Sequence, residues 1–346
     1  MLFIIWRVLN MFIAKTKKNS YLIKATQANH LQEYYCPACN ERVHLKKGTI
    51  NVPHFAHMVG SLCSASSEGE TIIHLQGKLA LFELFSKQYD EVKLEPWLSK
   101  IKQRPDLMLR KGNQWFVIEF QCAPISIQNV QKRTKGYEQL KFKVVWILGE
   151  PYQKKRLQAG TFAKFAVIRK QQLQIAFWQL EKGIVWHSWW QIDGKTKLLK
   201  RQIIHNQEQQ LLKLQQAIMR SKPEIRLIQN ELYYMKRLVI GIPWACHPQY
   251  PLPGGLKCAQ WQVIVYILLA VEKQPLTIAQ LIEILTTQPW QQFGCISIHS
   301  VQKMWLDYLL ADLISNNLVK KVADKVILVK PLEWFDTYQE KLQLKP

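Results

Sequence analysis

The sequence predicts an α+β protein in which a small cysteine- and histidine-rich module precedes an αβββαβ core and a mainly helical C-terminal region. Three observations support this fold class. Cysteines and histidines crowd into residues 36–63, residues 66–150 alternate between helical and strand periodicity, and residues 257–317 are helical in periodicity. The 346 residues suffice for two or three domains, and 48% of them are hydrophobic.

Four segments follow from these patterns, with a proline- and glycine-rich linker before the last. We expect a hairpin with a zinc-binding module at 11–65, the αβββαβ domain at 66–150, a basic aromatic and helical region at 151–240, and a winged-helix-like helical domain at 256–335. The aromatic residues of the third segment are interpreted as a small core, with stacking on nucleic-acid bases as the alternative. For the last segment, two roles stay open: contact with other proteins, or recognition of DNA.

The opening residues are apolar, but the run is short. It is interrupted by Arg7 and Asn10 and precedes a second methionine, Met11. A bilayer span needs roughly 20 apolar residues, and the run also lacks the basic start and cleavage site of a signal peptide. We interpret Met11 as the start of translation, with a genuine N-terminal strand or helix as the alternative. Both interpretations predict a cytoplasmic protein without a membrane span.

Residues 11–65 predict a hairpin followed by a zinc-binding module. A Cys-Pro-Ala-Cys knuckle and a third cysteine supply three thiolates, and a His-Phe-Ala-His segment lies between them. Tetrahedral zinc needs four nitrogen or sulfur ligands, and four protein ligands leave no position for water, so we expect a structural zinc. Reduced cysteines that merely lie near histidines are the competing interpretation. The predicted ligands are Cys36, Cys39, His57 and Cys63, with His54 as the reserve for His57.

Residues 66–150 predict the order helix, strand, strand, strand, helix, strand. The helices are expected at about Glu70–Lys87 and Ser126–Leu140, and the strands at about Glu91–Leu98, Pro105–Arg110, Gln114–Gln121 and Phe142–Leu148. The last strand is a continuous apolar run, which is typical of a buried parallel strand.

Two acidic residues fall on neighbouring strands of this core. Asp106 lies on the first strand of a hairpin with a Gly-Asn turn, while Glu119 and Gln121 share one face of the second strand. Carboxylates from two adjacent strands form a minimal site for Mg²⁺ or Mn²⁺ against a phosphodiester. The competing interpretation is an ordinary hairpin with polar residues on its wet face.

Polar residues also form stripes on both predicted helices. Glu70, His74 and Lys78 are spaced four apart, so they share one face of the first helix. We expect Glu70 to complete the metal shell or to act as a base, and we expect Lys78 to be solvated. Arg133 and Tyr137 share a face of the second helix, where they are predicted to contact a DNA backbone; a solvated, merely basic helix is the alternative.

The formal net charge of +22 indicates a polyanionic partner. Residues 1–150 carry a net charge of +9, residues 151–240 carry +12, and residues 241–346 carry only +1. The basic residues do not form one block beside an amphipathic anchor, so nucleic acid is favoured over an anionic membrane. We therefore expect the first two stretches to face DNA.

Taken together, these motifs resemble two related groups of proteins. The acids and the αβββαβ order resemble the restriction-endonuclease-like core of the PD-(D/E)XK nucleases. The whole set is similar to the competence protein CoiA family. The motifs that carry this resemblance are Met-Phe-Ile-Ala at 11–14, Cys-Pro-Ala-Cys at 36–39, His-Phe-Ala-His at 54–57, the Glu70, His74 and Lys78 stripe, Arg-Pro-Asp at 104–106, Ile-Glu-Phe-Gln at 118–121, and Arg133 with Tyr137.

The resemblance implies an intracellular protein of naturally competent Gram-positive bacteria that acts on incoming, single-stranded DNA during processing or recombination. Gln121 stands where related nucleases have a lysine that polarises water, and losing such a charge costs a factor of about 100–1000 in rate. We expect Gln121 to position water and Lys78 or Arg104 to restore the charge, with Arg104 also a predicted DNA contact. A Mg²⁺-dependent DNA nuclease is the favoured function. A non-catalytic mediator that passes DNA to recombination proteins is the alternative.

Overall fold

The computed structural model describes residues 10–16, 21–49, 52–61, 63, 71–154, 157–192, 195–199 and 204–345. The chain divides into two units, one made of Met1–Leu157 and Ile175–Trp186, the other of Gln158–Gln174 and His187–Pro346. Each unit contains helices and strands, which confirms the α+β class. The finer division into four segments stays a prediction. The predicted start at Met11 also stays a prediction, because residues 1–9 lie outside the described residues.

The N-terminal part of the first unit is a six-stranded antiparallel sheet. Its strands are β1 (Asn10–Met11), β2 (Ile13–Thr16), β3 (Leu22–Lys24), β4 (Tyr34–Tyr35), β5 (Arg42–Lys46) and β6 (His54–His57). They lie in the order β1-β6-β5-β4-β2-β3. Along β5 the apolar residues Val43 and Leu45 are buried and their polar neighbours are exposed, as the two-residue period of a strand requires. The buried face packs on Tyr34 and Phe55.

The rest of the first unit contains the predicted αβββαβ core. Its elements are α1 (Ile72–Ser86), β7 (Glu91–Leu94), β8 (Leu107–Lys111), β9 (Gln114–Gln121), α2 (Ile127–Gln139) and β10 (Lys143–Leu148), followed by the short helix α3 (Glu150–Gln153). Strands β7, β8 and β9 are antiparallel neighbours, and β10 runs parallel to β9. Strand β7 ends four residues earlier than predicted. The reason is that Glu95 adopts a left-handed backbone, with φ of 49°, directly before Pro96.

The two helices of the core cover opposite faces of its sheet. Ile118 and Phe120 of β9 pack with Leu75 and other apolar residues of α1. Val117 of β9 packs instead with Tyr137 of α2. Because side chains alternate along a strand, the odd-numbered residues of β9, which include both candidate site residues on this strand, lie on the α2 side.

The remaining elements belong mostly to the second unit. They are α4 (Ala159–Phe165), β11 (Val167–Arg169), β12 (Gln172–Gln179), β13 (Gly183–Ile192), β14 (Lys195–Leu199), α5 (Gln207–Met219), α6 (Pro223–Tyr234), β15 (Leu252–Pro253), α7 (Gln260–Lys273), β16 (Leu276–Thr277), α8 (Ile278–Thr286), α9 (Ile298–Ser315), β17 (Val319–Val322), β18 (Lys325–Leu328) and α10 (Tyr338–Gln343). The end of β12 and the start of β13 belong to the first unit.

The C-terminal elements follow the predicted order of three helices and a β-ribbon. Helices α7, α8 and α9 precede β17 and β18, and β16 pairs with β18 as a third strand. Trp189 and Trp190 are buried, in agreement with their interpretation as core residues rather than base-stacking residues. Within the part of the chain that the structure describes, no helix is both long enough and apolar enough to cross a bilayer.

Candidate functional site

The N-terminal sheet brings four metal-ligand side chains together. One ligand atom from each of Cys36, Cys39, His57 and Cys63 lies within 4.8 Å of the others. The Sγ atoms of Cys36 and Cys63 are 3.9 Å apart, and Cys39 Sγ lies 3.4 Å from His57 Nε2. Zinc–sulfur bonds of about 2.3 Å in a tetrahedron place neighbouring ligand atoms roughly 3.5–3.8 Å apart. The four residues therefore have the donor types and spacing to bind a metal such as zinc.

The backbone around the knuckle keeps its thiols in place. The Ala38 N–H donates to Cys36 Sγ at 3.4 Å, and the main-chain N–H of Asn40 donates to the Cys36 oxygen at 3.0 Å. Hydrogen bonding with Cys63 lowers the pKa of Cys36 to about 3 although burial opposes the shift, so Cys36 is a thiolate. His54, the reserve ligand, is not one of the four clustered residues, and its Nδ1 donates to the main-chain oxygen of Val52 at 2.8 Å.

Asp106 and Glu119 are cross-strand neighbours in the core sheet. Leu107 of β8 pairs with Ile118 of β9, and the same register carries on to the two acids. Both carboxylates are largely shielded from solvent. The main-chain N–H of Phe120 donates to Asp106 Oδ2 at 2.7 Å, which fixes this carboxylate against β9.

Helix α1 places two basic side chains beside Asp106. His74 Nε2 lies 3.4 Å from Asp106 Oδ2, and Lys78 Nζ lies 3.6 Å from Oδ1. Burial acts to raise the pKa of Asp106, but the charges of His74 and Lys78 outweigh it and lower the pKa below its ordinary value. Asp106 is therefore ionised at neutral pH.

The expectation that Lys78 is solvated is wrong. Its side chain is 0% exposed and forms an ion pair with Glu95, which is equally buried. Lys78 faces the sheet rather than water because two largely shielded carboxylates, those of Glu95 and Asp106, lie on that side of α1 and need a cation. Glu70, the third member of the stripe, lies outside the described residues, and its role stays a prediction.

Glu95 is a buried acid that the sequence reasoning missed. Its Oε2 accepts a hydrogen bond from the Phe12 N–H at 2.8 Å, and Lys78 donates to its Oε1. Burial acts to raise the pKa of Glu95, but the charges of Lys78 and Arg104 lower it overall. The sequence feature that could have pointed to Glu95 is its position directly before Pro96, where a strand has to end.

Helix α2 holds Glu119 through an arginine and a tyrosine. Arg133 donates to Glu119 Oε1 from Nη2 at 2.6 Å and from Nε at 3.1 Å, and the Tyr137 hydroxyl donates to the same oxygen. Arg133 Nη2 also donates to the main-chain oxygen of Arg104 at 3.0 Å. Burial raises the pKa of Glu119 to about 7, with the charge of Arg133 opposing the shift and that of Asp106 adding to it.

The residues predicted to contact DNA are directed inward. Tyr137 is 0% exposed, and Arg133 is directed at Glu119. Arg104 is 6% exposed, and the DNA contacts of all three residues stay predictions. A buried carboxylate has to be paired, and Glu119 therefore draws the polar face of α2 inward.

Gln121 is buried on the same face of β9 as Glu119. Its Nε2 donates to the main-chain oxygen of Ala123 at 2.7 Å, which ties the amide to the turn after the strand. The positive charge beside Asp106 comes instead from Lys78, on a different element.

The two acids of the sheet fit a divalent cation by their donor type. Mg²⁺ prefers oxygen ligands and is often held by one or two carboxylates together with water and substrate phosphates. The described hydrogen bonds to Glu119 all end on Oε1. Asp106 and Glu119 would be the residues that hold such an ion.

The αβββαβ core with its paired strand acids defines a nuclease-like domain, and it follows a Cys₃His metal-binding module. The family described as "Competence protein CoiA, nuclease-like domain" matches residues 70–219, and "Competence protein CoiA, N-terminal domain" matches residues 16–66. The chain belongs to the competence protein CoiA family.

Two relatives are similar to parts of this chain. Competence protein CoiA of Bacillus subtilis (strain 168) is 33% identical over 153 residues, which are 44% of this chain and 40% of that protein. Druantia protein DruB of Escherichia coli (strain UMEA 4076-1) is 34% identical over 76 residues, 21% of this chain and 13% of that protein. The matches thus span less than half the length of either relative. No solved structure is significantly similar to the chain.

Proposed function

We propose that the first unit is a metal-dependent DNA nuclease of the PD-(D/E)XK type, which acts in the cytoplasm on internalised DNA during natural transformation. The observation that carries this proposal is the pair of Asp106 and Glu119, which adjoins the Leu107–Ile118 strand pair, is largely shielded from solvent and has the Lys78 ammonium beside Asp106. The name of the Bacillus subtilis relative, a competence protein, supports the setting.

Asp106 and Glu119 would hold Mg²⁺ or Mn²⁺, which when bound activates a water ligand and offsets charge on the scissile phosphate. Phe120 and His74 orient the Asp106 carboxylate, so the metal ligand is fixed before the ion arrives. Arg133 and Tyr137 do the same for Glu119. Such preorganisation avoids reorienting dipoles during the reaction.

Lys78 would supply the charge that Gln121 lacks. A buried ammonium acts through a low local dielectric and is screened little by water. It therefore stabilises negative charge near Asp106 more strongly than an exposed lysine would. Gln121 would orient the attacking water through its side-chain amide, and Glu70 would complete the shell or act as the base.

The Cys₃His cluster would hold a structural zinc. Three thiols and an imidazole occupy all four tetrahedral positions, so no site stays open for chemistry. Binding free energy at such a site is folding free energy for the surrounding module.

DNA is the proposed substrate because of the charge distribution. The net charge of +22 gives affinity for phosphates without sequence preference. We propose single-stranded, incoming DNA as the natural form.

The mediator function is the second candidate, and two observations favour it. The Glu119 charge is already balanced by Arg133 without a metal, and Gln121 replaces the lysine of related nucleases. In that case the same basic surface would pass single strands to recombination proteins without cutting them.

The test uses Asp106→Asn and Glu119→Gln in the full chain, assayed with Mg²⁺ or Mn²⁺ on single- and double-stranded DNA. Both changes remove negative charge near the phosphate, so DNA binding should stay equal or become tighter. Cleavage and transformation should be lost. If both persist, while charge reversals of lysines and arginines in 151–240 abolish transformation, the mediator function is correct.

A further inference from the structure

A cavity of about 500 Å³ opens in the first unit, on the α1 side of the core sheet. Residues of α1 that include Gly77, the Phe120 ring and the segment from Trp178 to Lys182 form its walls. Binding pockets for small molecules typically measure about 300–1,000 Å³. At the rim Leu180 is 88% exposed, which leaves an apolar surface open to an incoming ligand.

Phe120 connects this cavity to the candidate catalytic carboxylate. Its ring lines the cavity, and its main-chain N–H donates to Asp106 Oδ2 at 2.7 Å. The ring also lies 5.7 Å, centroid to centroid, from His74, whose Nε2 is 3.4 Å from the same oxygen. Phe120 therefore touches both the cavity, through its ring, and the Asp106 carboxylate, through its main-chain N–H.

The lining suits a neutral aromatic ring rather than a phosphate. Its polar side chains are two carboxylates, three amides and one ammonium: Glu150, Glu181, Gln76, Gln153, Gln179 and Lys182. In a chain with a net charge of +22 this is an acid-rich surface, which repels phosphate. Carboxylates and amides instead pair with the amino groups and ring nitrogens of nucleobases.

Trp178 supplies the stacking surface, since it lines the cavity and is partly exposed, whereas Phe120 is buried in the cavity floor. Bases stack on aromatic rings without regard to sequence. Gln153 donates to the main-chain oxygen of Trp178 and so holds this wall in place.

We propose that this cavity binds one unpaired nucleobase of the DNA strand whose phosphate lies at Asp106 and Glu119. This proposal rests on the proposed function, because DNA has to be the ligand. A paired base would first have to leave the duplex, and this costs free energy that single strands do not require. The cavity thus makes the site selective for single-stranded DNA.

The experiment compares two single-stranded probes of equal length by fluorescence anisotropy, with no added Mg²⁺ or Mn²⁺ so that nothing is cut and the zinc stays bound. One probe is an ordinary oligodeoxynucleotide. The other has the same sugar-phosphate backbone but no bases, because every position is an abasic site. The full wild-type chain should bind the ordinary probe roughly tenfold or more tightly, as expected for base stacking. Trp178→Ala should bring this ratio close to unity, and Trp178→Phe should keep most of it.

Two further variants guard against a folding defect in Trp178→Ala. Leu180→Glu alters only an exposed rim residue and should also lower the ratio. Tyr234→Ala, an exposed aromatic residue on α6 in the other unit, should leave the ratio unchanged. Equal binding of both probes by the wild type, or an unchanged ratio in the cavity variants, overturns the cavity proposal and leaves the nuclease proposal standing. If the wild type binds neither probe, both proposals fail.

Discussion

The Nζ atom of Lys78 on α1 lies 3.6 Å from Oδ1 of Asp106, the residue that precedes β8. The Lys78 side chain is fully buried. The same ammonium pairs with Glu95, so one cation is shared by two largely shielded acids. Such a cation cannot leave for solvent. If the proposed nuclease function holds, Lys78 is the cation beside the metal site.

We predict that Lys78→Met destabilises the protein by about 3–5 kcal/mol, because it leaves buried carboxylates without their cation. The double variant Lys78→Met with Glu95→Gln removes one of these charges and should recover most of the stability. Urea unfolding measures the difference. Both variants should cleave DNA about 100–1000 times more slowly than the wild type. Normal cleavage by the double variant would show that Lys78 does not replace the missing lysine.

Gly77 lets the Phe120 ring lie directly beneath α1. A Cβ at this position would sit 2.0 Å from Phe120 Cε1, so Gly77→Ala should overpack the helix–sheet contact. We expect a loss of about 1–3 kcal/mol. Gly48→Ala is the control, since no heavy atom lies within 4 Å of its added Cβ. Thermal melts that show Gly77→Ala as stable as the wild type would contradict this packing.

The zinc site makes a sharp distinction between two nearby histidines. His57→Ala removes a side chain of the cluster and should lose the one zinc per chain, together with the fold of the N-terminal module. His54→Ala should keep the metal, because His54 is not among the four clustered residues. Elemental analysis after chelator washing measures the zinc. Metal loss from His54→Ala, or none from His57→Ala, would refute the assignment.

DNA affinity should depend steeply on salt and little on sequence. If basic side chains displace counterions from phosphates, log affinity falls linearly with log salt. Replacing the exposed Lys222 and Arg226 by uncharged residues should make the slope of log affinity against log salt less steep. The expected change is roughly 0.7–0.9 for each phosphate contact that is lost. Neutralising exposed Lys320 and Lys321 in the near-neutral C-terminal part is the matched control and should not change it. Salt-independent binding would count against a phosphate-binding surface.

Lys341 makes the stability of the second unit depend on pH. It is fully buried and donates to Ile242 O at 2.6 Å and to His247 Nε2 at 3.0 Å. Burial lowers its pKa from 10.5 to about 7, so above pH 7 the unfolded chain binds more protons than the folded protein. Stability should therefore rise between pH 7 and pH 9, by at most about 1.4 kcal/mol per pH unit.

Lys341→Met should remove this rise, and the exposed Lys345→Met should keep it. Denaturant unfolding at several pH values provides the measurement. Above pH 9 the buried Cys246, whose pKa is raised to about 12, acts in the opposite direction and limits the window. An identical pH slope in the wild type and in Lys341→Met would disprove the effect.

Much of the site was predictable from patterns along the chain. The spacing of cysteines and histidines indicated the Cys₃His cluster, because ligands that are close in sequence converge through the local backbone and need little help from the rest of the fold. Strand periodicity placed Glu119 and Gln121 on one face of β9, and the predicted hairpin placed Asp106 on the neighbouring strand. The structure supplied the register between the two strands. The fold class and the order of elements followed from the same periodicities.

Only the tertiary structure decided which polar residues are buried. Lys78, Arg133 and Tyr137 have the spacing of solvated helix stripes, and Glu95 reads as the end of an ordinary strand. Each is buried because another element brings an opposite charge or a hydrogen-bond partner against it, as Glu119 does for Arg133 and Tyr137. Periodicity determines which side of an element a residue lies on. What lies opposite that side depends on interactions between residues far apart in sequence, and the local pattern does not contain these.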